Sequence, residues 1–486
     1  MPEQETTFDI IGGTEKSEYT EFNPNLTVNM FQVSDVTAFF KKALYATPGL
    51  NASFGQTFLV GGENTGGRAL WVFNDAIYAV IKDTVYRVTG SIVDNQLKLT
   101  HSQIGTLLTE SGHVGIENNN TQVMFVDGIG GWIYDTTTGN FTKITDVNFP
   151  IGTSDVTVLA NRFVVNQGET DVSFYSVLGD GLSWTDPGFG NFFSLDSYAD
   201  VIVGYEVLNG KMFILGQTST ELFYASGGSV LPYRSQKPTF EFGCAAVGSI
   251  AKAFGFLVWL SNTENGVGGI VATTGGTPQP ISNDAINREI DSYDDVSDAT
   301  SYFYRNEVGH LMYVINLTSA NATWMYDFNT KTWPKLSSGA DNRHLANAYA
   351  YYKSRHFVLD YEKPIMYEMS NRFYDDNGTA IKRQRTFQLD KLVLELTYYN
   401  KTPLVILGAV GNLTKAQFFK VILNHIRFYL KQGVGTVEGN DKDPVIKLRC
   451  SLDGGISYGN EVPAEIGKSG ERMWQSEFRK IGGLSL

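Results

Sequence analysis

The chain has 486 residues, 42% of them hydrophobic, a formal net charge of −13 and two cysteines, Cys244 and Cys450. The length is too great for one ordinary core, and the apolar content excludes bulk disorder. The acidity argues against a protein that grips nucleic acid, and two distant cysteines exclude both a disulfide scaffold and a metal site built on cysteine spacing.

The residue types favour strands. Tyr (25), Phe (31) and Gly (50) are abundant, and aromatic side chains suit a half-buried pleated surface while glycines serve tight turns. We expect no signal peptide at the acidic N-terminus and no bilayer-spanning run, so that the chain assembles in a reducing compartment.

The first local signal in the chain is a turn. Pro48 fixes φ and Gly49 allows a positive φ, which predicts a type II turn at this dipeptide.

Short strand-like runs separated by turn residues follow from about residue 69 to about 370. Residues 68–90 contain ALWVF, AIYAVI and TVYRV, a meander of hairpins, and a similar unit covers residues 113–144. Further units lie near residues 155–175, 201–224, 248–281, 301–336 and 347–369. Their spacing of about 40–50 residues is typical of propeller blades and predicts about seven, with six possible. A set of β-sandwiches is the alternative.

One hairpin pattern occurs twice. WIYD before TTTGN resembles WMYD before FNTK, and we expect Asp135 and Asp327 to cap these turns through their side chains.

A short helix is predicted near residue 283, with Asn283 or Asp284 as N-cap. The acidic cluster after it, Asp291, Asp294, Asp295 and Asp298, does not have EF-hand spacing. We interpret it as a solvated loop rather than a calcium site.

The composition changes after Thr379. The run IKRQR precedes a new set of strands, whereas residues 415–431 fit either a helical stripe or a strand. We predict an N-terminal extension over residues 1–55, a β-propeller over 56–385 and a C-terminal β-sandwich-like domain over 386–486. The fold class is therefore all-β.

The sequence from Ser451 to Tyr458 fits the S-x-D-x-G-x-S/T-aromatic pattern of an Asp-box, a hairpin turn that resembles those of sialidase-type propellers. Asp453 can accept backbone N–H bonds, Gly455 can take a positive φ and Tyr458 can pack beneath the turn. The motif is structural.

Recognisable catalytic motifs are missing. The six histidines are scattered, and no P-loop, dinucleotide fingerprint or G-x-S-x-G elbow is present. We predict no enzymatic activity, no cofactor and no metal.

Two terminal segments resemble the tail-hub, or packaged-DNA stabilisation, proteins of short-tailed bacteriophages. Near the N-terminus, Asn29 lies in a VNMF strand that leads to the segment ALYATPGL. Near the C-terminus, four motifs follow one another in the order that the family shows: GVG, DPVIKLR, the Asp-box hairpin and FRKIG. Residues 402–424 look like an insertion, and the chain ends at Leu486, where relatives usually add strands.

The resemblance implies a structural virion protein. Relatives form a ring, usually a hexamer, below the portal and adaptor; it continues the DNA channel, retains packaged DNA, and anchors the tail needle or plug and the tailspikes. It also implies that the protein lies in the virion tail, is assembled in the host cytoplasm, passes DNA without specific binding and inserts in no membrane. A negative conduit is compatible with this role because it repels phosphates.

Two other functions stay open from the sequence. A carbohydrate-active, sialidase-like propeller would need several Asp-boxes and an arginine cluster for an anionic sugar. A monomeric propeller could instead act as a binding platform.

Overall fold

A computed structural model describes residues 6–15, 24–34, 41–62, 65–184, 191–195, 197, 199–228, 232–264, 266–339, 341–389, 392–401, 404–416, 420–432, 444–466 and 474–485. Five short strands open the described chain: β1 (Thr6–Phe8), β2 (Leu26–Val28), β3 (Met30–Ser34), β4 (Lys42–Ala46) and β5 (Gly49–Thr57).

Four antiparallel sheets of four strands follow in chain order, each a simple meander. Blade 1 contains β6 (Gly67–Phe73), β7 (Ala76–Ile81), β8 (Thr84–Val93) and β9 (Gln96–Thr106). Blade 2 contains β10 (Gly115–Asn118), β11 (Gln122–Val126), β12 (Gly131–Asp135) and β13 (Phe141–Lys143). Blade 3 contains β14 (Val156–Leu159), β15 (Arg162–Asn166), β16 (Val172–Tyr175) and β17 (Phe192–Ser194). Blade 4 contains β18 (Ile202–Leu208), β19 (Lys211–Gly216), β20 (Thr220–Ala225) and β21 (Tyr233–Phe240).

Blades 5 to 7 vary this plan. Blade 5 begins with two short strands, β22 (Gly243–Cys244) and β23 (Ala251–Ala253), which are separated by a 3-10 turn (Val247–Ser249). Both strands pair with β24 (Phe256–Thr263). The blade continues with β25 (Gly266–Thr273) and β26 (Gln279–Pro280). Helix α1 (Asp284–Asp291) leads to blade 6, made of β27 (Thr300–Arg305), β28 (Leu311–Leu317), β29 (Ala322–Asp327) and β30 (Lys335–Leu336). Blade 7 contains β31 (Ala346–Tyr352), β32 (Arg355–Asp360) and β33 (Ile365–Ser370).

The N-terminal strand β5 completes blade 7. It pairs antiparallel with β33, from Ile365 against Thr57 to Ser370 against Gly49. The ring is thus closed by a strand that precedes blade 1 in the sequence, which removes the open edge that a string of sheets would otherwise expose.

Seven separate apolar clusters fill the gaps between neighbouring blades, including the gap between blades 7 and 1. Between blades 1 and 2, for example, Tyr78 packs at 5.6 Å from Tyr134 and 6.2 Å from Phe125, between ring centroids. The prediction of a β-propeller with an additional β-domain is confirmed, and the described blades number seven.

The last strands are β34 (Asp375–Asp376), β35 (Thr379–Leu389), β36 (Leu392–Asn400), β37 (Leu404–Ala416), β38 (Lys420–Gln432), β39 (Val445–Ser451), β40 (Val462–Glu465) and β41 (Trp474–Ser485). They form a β-sandwich together with β1 to β4. One sheet has the order β3-β4-β37-β38-β41, with β1 on β37, and the other has the order β2-β35-β36-β39-β40. Met30, Leu44, Phe387, Leu396 and Phe428 belong to the core between the two sheets.

The structure resolves the ambiguous segment in favour of strands, since the described part of residues 415–431 lies in β37 and β38. The helix near residue 283 forms, and Asn283 caps it by accepting the Ile286 N–H at 2.9 Å. Division of the chain at residues 55 and 385 stays a prediction. Within the described ranges, no helix is long and apolar enough to cross a bilayer.

Candidate functional site

The propeller axis holds a narrow bore lined by the innermost strand of every blade. Its cavity measures about 190 Å³. The lining includes one or more residues from each blade, among them Trp71, Glu117, Asp155, Glu206, Ile250, Tyr302 and Tyr349. This cavity is smaller than the roughly 300–1,000 Å³ typical of pockets for small organic ligands.

Three charged groups from blades 2, 4 and 5 lie at the bore or beside it: Glu117, Glu206 and Lys252. Lys252 Nζ lies 2.5 Å from Glu206 Oε1 and also donates to the Val207 carbonyl at 3.0 Å. Glu117 accepts the Asn118 N–H at 2.9 Å and lines the bore. Burial, reinforced by the nearby Glu206 carboxylate, raises the pKa of Glu117 to about 8. Glu117 is therefore largely protonated at neutral pH, which limits the negative charge of the bore.

A half-buried arginine holds the mouth of the bore. Arg68 donates to the carbonyls of Thr109 (2.7 Å), Ser111 (2.8 Å) and Gly112 (2.9 Å), and burial lowers its pKa to about 10. Because these bonds fix the loop between blades 1 and 2, Arg68 has a structural role here. A wider depression of about 850 Å³ adjoins this end of the bore.

Asn29 joins the sandwich to the propeller. It takes a left-handed backbone conformation (φ 53°) between β2 and β3, where the chain passes from one sandwich sheet to the other. Its buried side-chain amide donates to the carbonyls of Ser337 and Lys382, both at 2.8 Å, and its oxygen accepts the Ser337 N–H at 2.9 Å. Blade 6 and β35 are thus connected through one side chain.

Both arginines of the run IKRQR are buried. Arg385 is buried and donates to the carbonyls of Ile10 (2.7 Å) and Gly13 (3.0 Å) and to the Thr27 hydroxyl (3.0 Å). Burial lowers its pKa to about 10. The arginine therefore ties the N-terminal segment to β35 and is not available to DNA phosphates.

Together these features describe a closed propeller with a narrow bore and a second β-domain attached at its edge. A protein-family profile described as Bacteriophage P22 Gp10, beta-propeller, matches residues 6–374 of the sequence. The chain belongs to this family. The family predicted from the sequence is confirmed, and the protein is a phage structural β-propeller of the tail and DNA-stabilisation class. The matched residues include the N-terminal segment that carried the resemblance and end before the C-terminal one.

Other comparisons add little. No curated protein matches the sequence. The N-terminal domain of Nup159 aligns over 71% of this chain and 98% of its own, at 11% identity and a TM-score of 0.39. The extracellular domain of BT4673 from B. thetaiotaomicron covers 85% of this chain and 59% of its own, at 7% identity and a TM-score of 0.42. Scores this low do not contribute to the assignment.

The family's TPGL segment does not form the expected type II turn. Gly49 lies in extended β5 without a positive φ, so the turn prediction is wrong. A side chain at this position would place its Cβ 2.4 Å from the Asp375 carbonyl oxygen and 2.7 Å from that of Phe373. Glycine is needed here because the closing strand runs directly against the backbone that leads into the sandwich.

Asp135 and Asp327 lie at the ends of corresponding strands in blades 2 and 6. Asp135 Oδ1 accepts the N–H groups of Thr137 (2.8 Å) and Thr138 (2.9 Å), and these bonds lower its pKa. Asp327 Oδ1 accepts the Asn329 N–H (2.9 Å), while Oδ2 lies 2.7 Å from His310 Nδ1. Both carboxylates stand at turns far apart from each other in the ring.

The Asp-box is the hairpin between β39 and β40, in the sandwich rather than in a blade. Asp453 accepts the Ser457 N–H at 2.9 Å, and the hydrogen bonds from Ser457 and Ser451 hold its pKa far below the ordinary value. Gly455 has φ 94°, and the Tyr458 ring lies 4.5 Å from the Arg449 guanidinium carbon. This is a self-contained turn without converging catalytic groups.

The remaining candidates also have structural surroundings. Asp298 Oδ2 accepts the Ser319 N–H (2.7 Å) and Asp295 Oδ1 the Ser297 N–H (2.8 Å), and no group of metal-ligating residues is found in the described ranges. Burial raises the pKa of Cys244 to about 12 and that of Cys450 to about 11. The GVG loop at 433–435 and Asp443 lie outside the described residues.

The sequence did not predict the cluster of charged residues at the bore. Glu117, Glu206 and Lys252 lie on blades 2, 4 and 5, and no motif links them. The feature that they share is a position on the first or innermost strand of their blades. This feature can be recognised in the sequence only when the blade boundaries are known.

Proposed function

We propose that the protein is a tail hub: a ring of identical copies, six by expectation, below the portal and adaptor of a short-tailed phage. The ring continues the DNA channel, retains packaged DNA, and anchors the plug or needle and the tailspikes. The observation that carries this proposal is membership in the family over residues 6–374, in a chain whose propeller is closed.

The size of the bore bears on where DNA passes. The major groove of duplex DNA alone is wide enough to admit an α-helix of about 10–12 Å diameter. The whole duplex is wider than this groove. A bore of about 190 Å³ has no room for it. In the proposed hub, DNA therefore passes between copies, along the ring axis, and the propeller is part of the wall.

Charge supports passage without binding. Residues 1–378 carry 22 Lys and Arg against 41 Asp and Glu, a net charge of −19. An acidic wall repels phosphates, so retention would depend on a physical plug and release would not require breaking many contacts.

The test is made on virions and on the purified chain. We expect several copies per tail by quantitative mass spectrometry, a monomer or weak oligomer in isolation, and a closed ring by electron microscopy on the portal–adaptor assembly. Particles that lack the protein should package DNA and lose it.

Two results would contradict the proposal. One is absence of the protein from purified tails. The other is hydrolysis of a glycan that is abolished by one carboxylate substitution, which would instead support the carbohydrate-active alternative.

A further inference from the structure

Charge is segregated along the chain. Residues 379–486 carry 16 Lys and Arg against 10 Asp and Glu, a net charge of +6, whereas residues 1–378 have a net charge of −19. The acidic part contains the propeller and the basic part contains most of the sandwich. Such asymmetry creates opposite potentials on two surfaces of one molecule.

One face of blades 1 to 3 carries loops that are rich in acidic residues. We call four loops on this face the acidic loops: residues 107–112, 127–130, 144–153 and 167–171. They follow the second or the fourth strand of a blade, and in a meander these connections lie at the same end of the sheet. The four loops contain five Asp and Glu, and no Lys or Arg. On the same face, Lys82 in the turn between β7 and β8 lies 3.3 Å from the Glu110 carboxylate, between Nζ and Oε2.

Large apolar side chains project from the same loops. Leu108 is 52% exposed, Ile129 62%, Ile151 84% and Val147 94%. Single exposed aliphatic residues are ordinary, but four on neighbouring loops of one face mark an interaction surface.

Hydrogen bonds make these loops one continuous surface. Asp127 accepts the Leu108 N–H at 2.8 Å and the Ile129 N–H at 3.1 Å. The Gly128 N–H donates to the Thr153 carbonyl at 2.9 Å, and the Gly168 N–H donates to that of Ile151 at 3.0 Å. The surface is therefore held in shape before any partner binds.

One sandwich sheet carries an excess of basic residues. Strands β37, β38 and β41 carry six Lys and Arg against one Glu. In the register of β38 and β41, Arg427 faces Glu477 and His425 faces Arg479, while Ile426 and Phe428 point into the core. Because side chains alternate along a strand, Arg427 and Arg479 lie on the outer face of the sheet. Arg479 is 75% exposed there, and both arginines form ion pairs with Glu477.

These two surfaces do not meet within one molecule. The sandwich is attached beside blades 6 and 7 through β2, β34 and β35, whereas the acidic loops belong to blades 1 to 3. A second copy, however, offers to each surface its complement in charge.

We propose that the acidic loops of one copy dock on the outer face of the β37-β38-β41 sheet of the next copy. Such a contact is heterologous, head to tail, and closes into a ring when the rotation between copies allows it. The inference rests on the proposed hub, for which it specifies the interface between subunits.

The test reverses charge on each surface of the full chain. One variant carries Glu110→Lys with Glu169→Lys, and the other carries Arg427→Glu with Arg479→Glu. Each should weaken self-association in low salt by about tenfold or more in sedimentation velocity, because like charges then face each other. Each should also fail to form rings on the portal–adaptor assembly.

Mixing the two variants gives the decisive readout. One variant is acidic on both surfaces and the other is basic on both, so only alternating copies attract each other. We expect the mixture to recover association and rings that neither variant forms alone. A contact between identical patches would give no such recovery.

A matched control reverses two exposed acids on blades 4 and 5, Glu241→Lys with Glu264→Lys, and should associate as the wild type does. Thermal unfolding of every variant separates lost docking from lost folding. A carbodiimide cross-linker, which joins carboxylates to lysines, should connect the acidic loops to lysines of β37 or β38 between isotopically distinct copies.

Some outcomes overturn the inference alone. These are wild-type rings that persist in both variants, cross-links that lie elsewhere, or a sandwich variant that loses duplex-DNA binding but not association. A wild-type chain that forms no ring on the portal–adaptor assembly contradicts the hub instead. In that case, association in solution with the same cross-links would still support the interface.

Discussion

At the scale of single residues, the side chains that matter most join parts of the molecule that are distant in sequence. Asn29 connects three segments, and Arg385 connects β35 to residues 10–27. A buried amide or guanidinium whose partners are removed loses several hydrogen bonds without regaining water, which is costly. These positions should therefore be sensitive to substitutions that preserve size.

Asn29→Ala tests this sensitivity. We expect it to lower the free energy of unfolding by about 2–4 kcal/mol, because it removes the hydrogen bonds of a buried amide to Ser337 and Lys382 and leaves a non-glycine residue at φ 53°. Asn74→Ala is the control, since Asn74 has φ 48° but is exposed in a hairpin turn. Denaturant unfolding of both variants separates hydrogen bonding from backbone strain, and equal losses would contradict the role of the amide.

Glu117 gives a prediction about pH. Its pKa is raised from 4.5 to about 8 in the folded protein, chiefly by burial and then by Glu206. Between these values the folded state binds more protons than the unfolded state, so this group makes stability fall as pH rises. Glu117→Gln should remove that dependence and be more stable than the wild type at pH 9, by up to about 4 kcal/mol.

Urea unfolding at pH 5, 7 and 9 checks this result, with the exposed Glu110→Gln as control. An unchanged pH slope in Glu117→Gln would show that the carboxyl is ionised at neutral pH after all.

At the scale of elements, the sequence predicted most blades because each hairpin carries its own signals. Asn74-Asp75 and Lys82-Asp83 separate apolar runs of strand length, and β6 to β8 form where these turns place them. Blades 3 and 5 were less evident, because β17 and β26 are short and follow long or irregular connections. The role of β5 was not predicted, because its partner β33 lies more than 300 residues away and no local pattern records that pairing.

The sandwich was harder to predict for the same reason. Its core combines Met30 and Leu44 from the N-terminal strands with Phe387 and Phe428 from the C-terminal strands. Sequence periodicity shows that a strand has one buried face but not which distant strand covers it. Likewise, the bore cluster depends on ring closure, whereas the Asp-box was visible because all its partners lie within eight residues.

Gly49→Ala tests the closing strand. A Cβ at 2.4 Å from the Asp375 carbonyl oxygen cannot be accommodated without moving backbone, so we expect a loss of about 2–4 kcal/mol in unfolding free energy. Gly61→Ala, where nothing lies within 4 Å, should be close to neutral. If both variants unfold like the wild type, the contact between β5 and the segment after blade 7 is not tight.

At the scale of the whole molecule, the two domains share their ends. The chain passes from β4 in the sandwich to β5 in blade 7 through only Thr47 and Pro48, and returns from blade 7 to the sandwich through β34, which pairs with β5. The strand that closes the propeller is thus held by the sandwich on both sides. Stability of the ring should depend on a domain that is not part of it.

Phe428→Ala measures this dependence. Phe428 is buried in the sandwich core, and its truncation should destabilise that domain by about 3–5 kcal/mol. Because the sandwich holds β4 next to β5, hydrogen exchange at residues 49–57 should then accelerate at least about tenfold, although Phe428 touches no blade cluster. Phe213→Ala makes an equal truncation in the core between blades 4 and 5, and should leave exchange at 49–57 nearly unchanged. Acceleration in both variants would mean that the molecule opens only as one unit, whereas acceleration in neither would mean that β5 closes the propeller without help from the sandwich.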